Sequence, residues 1–469
     1  MRQPEGVLVN DVHSQLNPTL VNRILSVDSL AALQMAIITA RQEGKAICVA
    51  GGRHAMGAQQ FGTGAVLVDM SKLNRVLNFD TAAGTIEVEA GIQWPELIAY
   101  LIGAQEGCSQ AWGIAQKQTG ADRLSIGGAI AANVHGRGLR MKPIIDDVES
   151  LVLVDAGGKL QRCDRQQQPE LFRLVVGGYG LFGIVYSVTL RLVPRQKVQR
   201  IVETLTVDQL MPAFEQRIAD GFLYGDFQFA VDERSDTFLH KGIFSCYRPV
   251  DATTPIPTEQ MLLSDMDWMH LIYLAHSDKE QAYQRYAAHY LASSGQIYWS
   301  DTHQLGVYID GYHHRLDHTA GAPLRATEMI TEVYVPRPAL ASFMREAAGD
   351  FRRLDVNVVY GTIRLIERDE ESFLAWAKEP YACIVFNLHI VHSREGLEHA
   401  MLAFRRLIDL AIHHGGSYYL TYHRYASRAQ VEACYPQFAQ FLRLKKQLDP
   451  EERFQSDWYR HYSHLFAEG

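Results

Sequence analysis

A strand runs directly into a glycine-rich loop in KAICVAGGRHAMGAQQFG, residues 45–62. KAICVA is short and apolar, as a buried strand is, and the segment after it has too many glycines for regular structure. A second stretch of small residues, TGADRLSIGGAIAANVHGRG, occupies residues 119–138. Loops of this kind present backbone N–H groups, which bind anions without needing a lysine. One such loop is commonly only a tight turn, but two in one region favour a site for a diphosphate-bearing cofactor.

The segments around these loops predict alternating strands and helices. Apolar positions at helical spacing predict a helix over residues 28–43, with an Asp or Ser cap at its start and Gly44 at its end. Pro95 begins a second helix, because proline is tolerated in a first helical turn. Strands are predicted by AVLVDM, RVLNF and TIEVEAG, and VESLVLVDAGGKLQRC predicts two strands joined by a turn.

A literal dinucleotide motif, G-x-G-x-x-G, occurs at residues 178–183. A Rossmann fold needs this motif to open a helix, so that the helix N-terminus meets the pyrophosphate. The residues that follow, IVYSVTLRLV, are β-branched and aromatic and predict a strand. These glycines are therefore expected to let the backbone pass close to another segment or a ligand.

The chain's 469 residues are too many for one ordinary core, so two or three domains are expected. Residues 1–195 hold both glycine-rich loops and are predicted to bind the cofactor. From residue 196 the chain is richer in aromatic residues, and 196–410 is predicted to be a substrate-binding domain. The last stretch, 411–469, is predicted to return to the first domain.

Composition and charge narrow the class of protein. A net charge of −8 argues against broad binding to nucleic acid or anionic membranes. No segment approaches the roughly 18 unbroken apolar residues that cross a bilayer, and the N-terminus has no apolar signal core. The six cysteines are scattered without a CxxC pair, which predicts buried free thiols in a reducing cytoplasm rather than a metal site.

Five motifs occur in a specific order: VAGGRHAMGAQ at 49–59, VLVDMSKLNRVLNFD at 66–80, TIEVEAGIQWPEL at 85–97, SIGGAIAANVHGRG at 125–138 and VVGGYGLFGIV at 175–185. Together they resemble the FAD-binding domain of the vanillyl-alcohol oxidase/p-cresol methylhydroxylase (PCMH) family. The resemblance reaches the C-terminus through GGSYYLTYHRYA at 415–426, read as a strand, and LDPEERFQS at 448–456. It is nearest to sugar and polyol oxidases, cytokinin dehydrogenases and decaprenylphosphoryl-ribose oxidases.

The resemblance implies an α+β fold. A PCMH-type FAD-binding domain of two subdomains is joined to a cap domain, whose antiparallel sheet is flanked by helices. In many members a histidine of the first loop is bonded to the flavin 8α-methyl group, and His54 falls on that position. Arg53 stands where glycine is common and Ala55 where serine is common. A covalent link both retains the flavin and makes it a stronger oxidant. A second link through cysteine has no matching residue near Thr119.

The resemblance carries the following positions over as FAD contacts: Ala50, Gly51, Gly52, Arg53, His54, Ala55, Met56, Gly57, Gln59, Thr119, Gly120, Ala121, Asp122, Ser125, Gly127, Gly128, Asn133, His135, Ile184, Val185, Tyr419 and Ser456.

The implied reaction is hydride transfer from a substrate carbon to the flavin, with a base that takes the proton. Candidate side chains lie on three predicted strands: Glu328 and Glu332 on one face of the first, Tyr360 and Arg364 on the second, and His389 and His392 on the third. In resemblance to alditol-type oxidases, Arg364 and His389 match residues near the reacting alcohol. Thr362 stands where those enzymes have a glutamate, and Tyr422 stands where they have a catalytic lysine.

The catalytic set predicted from this comparison is Tyr422 and His423 at the flavin, Arg364 as electrostatic partner, and His389 or Glu332 as the base. In the alternative interpretation, Arg364 pairs with an acidic residue at the surface and His423 is a satisfied core residue. No metal is expected, because HHRLDH at residues 313–318 lacks an acidic partner pattern and is typical of a surface loop.

The leading functional hypothesis is an FAD-dependent oxidase or dehydrogenase acting on a CH–OH group of a small alcohol, sugar, polyol or secondary metabolite. Its partners are that substrate and O2 or another electron acceptor. The alternatives are CH–NH oxidation of an amine and a non-catalytic FAD-binding subunit. The oligomeric state is left open.

Overall fold

The computed structural model describes residues 6–306, 309 and 311–467, so the outermost residues of the predicted first and last segments lie outside it. Its strands β1–β20 are, in chain order, Val7–Val9, Thr19–Val21, Arg23–Ser26, Ile47–Ala50, Val66–Asp69, Val76–Asp80, Thr85–Glu89, Trp112–Gly113, Val148–Val154, Leu160–Asp164, Ile184–Arg191, Val193–Pro194, Lys197–Thr206, Tyr224–Phe229, Lys241–Pro249, Ile297–Trp299, Ala326–Pro336, Val358–Ile366, Tyr381–Val391 and Ser417–Tyr418.

Its helices α1–α13 are Leu30–Gln42, Trp94–Ala104, Ile126–Ala132, Pro169–Val175, Val207–Ala219, Asp265–Ser277, Lys279–Ala292, Tyr312–Ala320, Leu340–Arg353, Arg394–His413, Arg428–Cys434, Phe438–Leu448 and Asp457–Ala467. None of these described helices is both long enough and apolar enough to cross a membrane.

The first part of the chain forms a small parallel sheet and a larger antiparallel one. The parallel sheet has the order β3-β5-β4, and helix α1 packs on it. The antiparallel sheet has the order β10-β9-β11-β7-β6. The predicted helices α1 and α2 and the predicted strands of this region are confirmed. The G-x-G-x-x-G segment leads into strand β11 rather than a helix, as its β-branched sequence requires.

The second part is built on one eight-stranded antiparallel sheet, in the order β16-β13-β15-β14-β18-β19-β17-β20. Helices flank it: α10 contacts β17 and β19, and α5 contacts β13 and β15. Strand β14 shows how the sheet serves two purposes, because side chains alternate between its faces. Phe227 and Phe229 enter the hydrophobic core, whereas Asp226 and Gln228 line a cavity. The predicted α+β fold is confirmed.

The C-terminal part differs in detail from the prediction. GGSYYLTYHRYA was predicted as a strand, but only Ser417–Tyr418 is strand, and it pairs with β17 in the second sheet. The chain contacts the first part again further on, where Ile47 bridges to Phe454 and donates its backbone N–H to the carbonyl of Arg453 at 2.7 Å. The strand ends at Tyr418 because the chain turns at residues 419–422, where the Tyr422 N–H donates to the carbonyl of Tyr419.

Candidate active site

A cavity of about 690 Å³ runs from the two glycine-rich loops to the large antiparallel sheet. Cavities of this size are typical of cofactor and substrate sites. Its first end is formed by the loop after β4, the loop before α3 and the start of β11. Its second end is formed by polar side chains of β14, β17, β18 and β19. The fold therefore joins a dinucleotide-sized cradle to a polar chamber.

The two loops touch each other through glycine. A Cβ on Gly51 would lie 2.0 Å from the hydroxyl oxygen of Ser125, and one on Gly52 would lie 2.3 Å from the carbonyl oxygen of Arg123. A Cβ on Gly127 would lie 2.8 Å from that of Ala90. Such close approach lets backbone from both loops line one narrow space. This glycine-built cradle fits the FAD that the sequence implies.

Arg53 occupies a backbone conformation that glycine adopts without strain. Its φ is +59°, in the left-handed region, which glycine adopts without the steric cost that other residues carry. The Arg53 guanidinium pairs with Asp69 at 3.2 Å, and its carbonyl accepts a hydrogen bond from Val12. These contacts hold an otherwise unfavourable conformation. The next residue, His54, lines the cavity, with its Nδ1 2.8 Å from Nε2 of His13.

A carboxylate, an imidazole and a phenol meet at the second end of the cavity. Glu332 Oε1 lies 2.5 Å from His135 Nε2, and the hydroxyl of Tyr422 donates to Glu332 Oε2 at 3.2 Å. Burial raises the pKa of Glu332, but His135 and then Arg364 outweigh it, so that the pKa lies below its ordinary value. Burial and the Glu332 charge raise the pKa of Tyr422 well above its usual range. The site thus holds an ionised carboxylate beside a protonated phenol.

Several polar atoms of cavity-lining side chains are buried without a hydrogen-bond partner among the described residues. They are Asp226 Oδ1, Gln228 Oε1, Arg364 Nε and Asn387 Oδ1, and their residues all line the cavity. Buried polar atoms are rarely left unpaired in folded proteins, and each such group costs roughly 1–3 kcal/mol. Their convergence in a cavity indicates that a polar ligand pairs with them.

Most residues that the sequence predicts as FAD contacts lie at the cavity. They are Ala50, Gly51, Gly52, Arg53, His54, Ala55, Met56, Gln59, Thr119, Gly120, Ala121, Ser125, Gly127, Gly128, His135, Ile184, Val185 and Tyr419. Of the predicted catalytic residues, Glu332, Arg364 and Tyr422 line it. Tyr422 does so from a turn after β20, because the strand predicted there ends at Tyr418.

Gly57 and Asp122 are not among the cavity-lining residues. The Gly57 N–H donates to Gln59, and a Cβ at Gly57 would lie 2.4 Å from the carbonyl oxygen of Tyr422, so this glycine brings the first loop against the C-terminal part. Asp122 accepts from the buried Lys117 ammonium at 2.6 Å and from the Gly306 N–H at 2.9 Å. Both residues shape the loops from behind instead of facing the cavity.

Asn133 and Ser456 also lie outside the cavity lining. Asn133 ends helix α3 in the left-handed conformation, with φ +49°, and its amide donates to Asp369 at 2.9 Å. Its carbonyl accepts from the Trp376 indole at 3.0 Å. The Ser456 hydroxyl accepts from the N–H of Tyr459 at the start of α13. Hydrogen bonds with the protein therefore occupy both side chains.

The remaining two predicted catalytic residues, His389 and His423, do not line the cavity. His389 directs Nδ1 toward Glu328, 3.4 Å away, on the adjacent strand. His423 is buried and stacks on Tyr425, with ring centroids 5.3 Å apart. His423 is thus buried, as the sequence alternative expects, but its Nε2 has no hydrogen-bond partner among the described residues, so it is not a satisfied core residue. Glu332 is thus the one of the two predicted bases that faces the cavity.

Replacing His423 with phenylalanine should make the protein less sensitive to acid. Burial lowers the pKa of His423 to about 4, whereas an unfolded histidine titrates near about 6.5. Between these values the unfolded state binds more protons, so stability falls as the pH drops from about 6.5 toward 4. Denaturant titrations give the free energy of unfolding at about pH 7 and at about pH 5. Between these pH values the wild type should lose roughly 2 kcal/mol more of this free energy than the variant. Equal losses of stability in the two proteins would contradict the lowered pKa of His423.

Several cavity residues were not predicted from the sequence. Asp226 and Gln228 had a usable signal, since they alternate with phenylalanines in YGDFQF. Arg137 lies within the second loop region, and its guanidinium is 3.6 Å from Asp226. His13 had no local signal, because it is brought to His54 from 41 positions away.

Comparison with known proteins agrees with this geometry. A family model described as an FAD binding domain matches residues 21–164. The chain is 24% identical to L-gulono-1,4-lactone dehydrogenase from Mycobacterium tuberculosis over 433 residues, 92% of this chain and 94% of that protein. It is 27% identical to L-gulonolactone oxidase from Bos taurus over 191 residues, 40% of this chain and 41% of the bovine protein. It is 28% identical to D-arabinono-1,4-lactone oxidase from Yarrowia lipolytica over 188 residues, 39% of this chain and 34% of that protein. The matched length is thus about two fifths or less of the bovine and yeast relatives.

The region matched by the family model contains both glycine-rich loops and the strands that carry them. The ordered motifs, the glycine contacts between the loops and the relatives with oxidase and dehydrogenase names all agree. The comparisons therefore show an FAD-binding domain over residues 21–164, and they agree with the resemblance of the chain to PCMH-type FAD-binding oxidoreductases.

Proposed function

We propose that the protein oxidises a CH–OH carbon of a polyhydroxylated small molecule, such as a sugar-derived lactone or a polyol, with FAD as its cofactor. The observation that carries the proposal is the carboxylate of Glu332, which His135 and Tyr422 contact in a cavity that also reaches the glycine-built cradle. Bound FAD would supply the hydride acceptor. The residues of the chain then have to bind the substrate and take its hydroxyl proton.

Glu332 is the proposed proton acceptor. Its pKa lies below the ordinary value, so at neutral pH the side chain is in the deprotonated form that a general base needs. His135 and Tyr422 hold its two oxygens in place, at 2.5 and 3.2 Å. Arg364 is the proposed electrostatic partner, which stabilises negative charge as the hydroxyl loses its proton. These roles need the substrate hydroxyl between Glu332 and Arg364.

The unpartnered polar atoms support a substrate with several hydroxyl groups. Asp226, Gln228 and Asn387 each present a buried oxygen acceptor, which suits hydroxyl donors along a sugar-like chain or ring. A site built to hydrogen-bond hydroxyl groups discriminates strongly against analogues that lack them. The names of the relatives, which are oxidases and dehydrogenases of sugar lactones, support the same class.

Anaerobic reduction of the bound flavin tests the proposed reaction. Sugar lactones, polyols and amines are added separately to the yellow protein, and loss of the oxidised flavin absorbance is followed. A lactone or polyol should bleach the flavin. Bleaching by amines alone would favour CH–NH oxidation, and a flavin that chemical reductant bleaches but no substrate does would favour a non-catalytic subunit. An oxygen electrode then distinguishes O2 from another electron acceptor.

We also propose that the FAD is covalently bound through His54, and His54→Ala should then release it. Only a covalently held flavin survives unfolding of the protein, so acid precipitation should leave wild-type protein as a yellow pellet. The His54→Ala variant should instead release its flavin to the supernatant. His423→Phe, which removes a histidine outside the cavity, is the control and should keep a yellow pellet. A colourless wild-type pellet contradicts the covalent bond.

Two further expectations are carried as proposals. The chain divides into an FAD-binding domain at 1–195, a substrate domain at 196–410 and a returning segment at 411–469, and limited proteolysis tests these boundaries. The protein works in a reducing compartment, the cytoplasm, since its six cysteines are free thiols and five of them are buried. Cell fractionation tests this localisation.

A further inference from the structure

Three metal-ligating side chains meet outside the cavity lining, where helix α6 packs beside the large sheet. Glu328 on β17 lies directly opposite His389 on β19, and His276 reaches them from α6. Glu328 Oε1 is 2.9 Å from His276 Nε2 and 3.4 Å from His389 Nδ1. The three ligand atoms all lie within 4.8 Å of one another. These residues are far apart in the sequence and are distinct from the HHRLDH run.

The hydrogen bonds of this cluster leave one carboxylate oxygen facing two ring nitrogens. His276 Nδ1 is 2.8 Å from the carbonyl oxygen of Ile272, which only accepts, so the ring proton lies on Nδ1. When the ring is neutral, its lone pair is on Nε2, the nitrogen that lies 2.9 Å from Glu328 Oε1. The Tyr312 hydroxyl donates to the other oxygen of Glu328. One positive ion between the three groups would satisfy the carboxylate and both imidazoles together.

We propose that His276, Glu328 and His389 bind a divalent transition-metal ion such as Zn²⁺. Two histidines and a glutamate are a known ligand set for zinc, with bonds of about 2.0–2.2 Å and a further position for water. Bonds of this length in a tetrahedral site separate the ligand atoms by roughly 3.4 Å. The distance from Glu328 Oε1 to His389 Nδ1 is 3.4 Å, whereas His276 Nε2, at 2.9 Å, would move slightly outward to admit the ion. The hydrogen bond from His276 Nδ1 to a carbonyl orients the ring as metal-binding histidines usually are.

The burial of the cluster suits an ion that enters from solvent. The Glu328 side chain is 4% exposed, whereas those of His276 and His389 are 13% and 21% exposed. The carboxylate would thus be shielded and the imidazoles would leave an open side for entry and for a water ligand.

The proposed ion would fasten a weakly packed helix to the sheet. Only Leu274 of α6 is fully buried, so apolar packing holds this helix weakly. The same helix carries Trp268, and the segment before it carries Met261, Leu262 and Leu263, all of which line the cavity. Binding at His276 would therefore fix a wall of the substrate chamber without touching the reacting groups.

Zinc binding to untagged, chelator-treated protein tests the site. The amount bound is measured by equilibrium dialysis with metal analysis, and the affinity by calorimetry. Both are done at a pH above about 7, where imidazole is neutral. Wild-type protein should bind one equivalent. His276→Ala and His389→Ala should each weaken that binding by more than about 100-fold, because loss of a residue that only orients a ligand already costs about 10- to 100-fold. His314→Ala and His318→Ala remove exposed histidines of α8 nearby and should bind zinc as the wild type does. The proposal would be overturned if the wild type failed to bind one equivalent of zinc, or if the His276 and His389 variants bound zinc as tightly as the wild type.

A second measurement guards against loss of folding in the variants. Cobalt(II) bound to the wild type should give the visible absorption of a tetrahedral nitrogen and oxygen site, and Glu328→Gln should remove it while circular dichroism stays unchanged. An unchanged cobalt spectrum in Glu328→Gln would also overturn the proposal. Because neither measurement uses turnover, both are independent of the proposed oxidation reaction.

Discussion

Glu332→Gln should lower the rate of substrate-dependent flavin reduction by about 10²- to 10⁴-fold, the usual range for loss of a general base. Glutamine keeps the size of the side chain but cannot take up the hydroxyl proton. The variant should retain FAD, because Glu332 lies at the substrate end of the cavity. Rapid-mixing measurements of anaerobic flavin reduction, with the best substrate of the panel, give the rate directly.

The matched control for this variant is Asp350→Asn. Asp350 is a buried, ion-paired carboxylate on helix α9, bound to Arg353 and Arg406, and it does not line the cavity. Its neutralisation should affect thermal stability more than the reduction rate. A Glu332→Gln variant that reduces its flavin at the wild-type rate would remove Glu332 as the base.

Gly52→Ala should weaken the non-covalent binding of FAD, the step that precedes its attachment to His54, by about 10- to 100-fold, the effect of an overpacking cost of roughly 1–3 kcal/mol. The added Cβ would lie 2.3 Å from the carbonyl oxygen of Arg123 and 2.8 Å from the ring of His54. A backbone carbonyl cannot rotate aside as a flexible side chain does, so the two loops have to separate. The ratio of flavin to protein absorbance after purification measures the loss.

Gly103→Ala is the control for the glycine variant. Gly103 lies near the end of helix α2, and a Cβ there would meet no atom within 4 Å. This substitution should leave FAD content unchanged and slightly favour the helix. Full FAD occupancy in Gly52→Ala would mean that contact between the two loops is not what forms the cradle.

Local chemistry made most of the first domain predictable. The glycine-rich loops, the strands before and after them and the helices at α1 and α2 all follow from short-range patterns, since backbone freedom and periodicity act over a few residues. The same reasoning rejected the G-x-G-x-x-G motif as a Rossmann site, and β11 follows it as predicted. The C-terminal strand was overestimated, because the chain turns at residues 419–422 despite the β propensity of the tyrosines there.

The candidate catalytic residues were predictable only as a set. Glu328 and Glu332 lie four positions apart on β17, and alternation assigns both to one face. In the folded protein Glu332 meets His135 and Tyr422 in the cavity, whereas Glu328 meets His276 from helix α6. His389 follows Glu328 because the two are paired across neighbouring strands.

Short-range patterns in the amino-acid sequence thus establish the glycine cradle, the secondary structure around it and the face on which the candidate bases lie. They do not distinguish Glu332 from Glu328, because a period of two specifies a face of the sheet and not what covers it. Helix α6, the loop holding His135 and the turn at Tyr422 come from distant parts of the chain and cover different lengths of that face. Their packing alone leaves one carboxylate open to the cavity and encloses the other between two imidazoles.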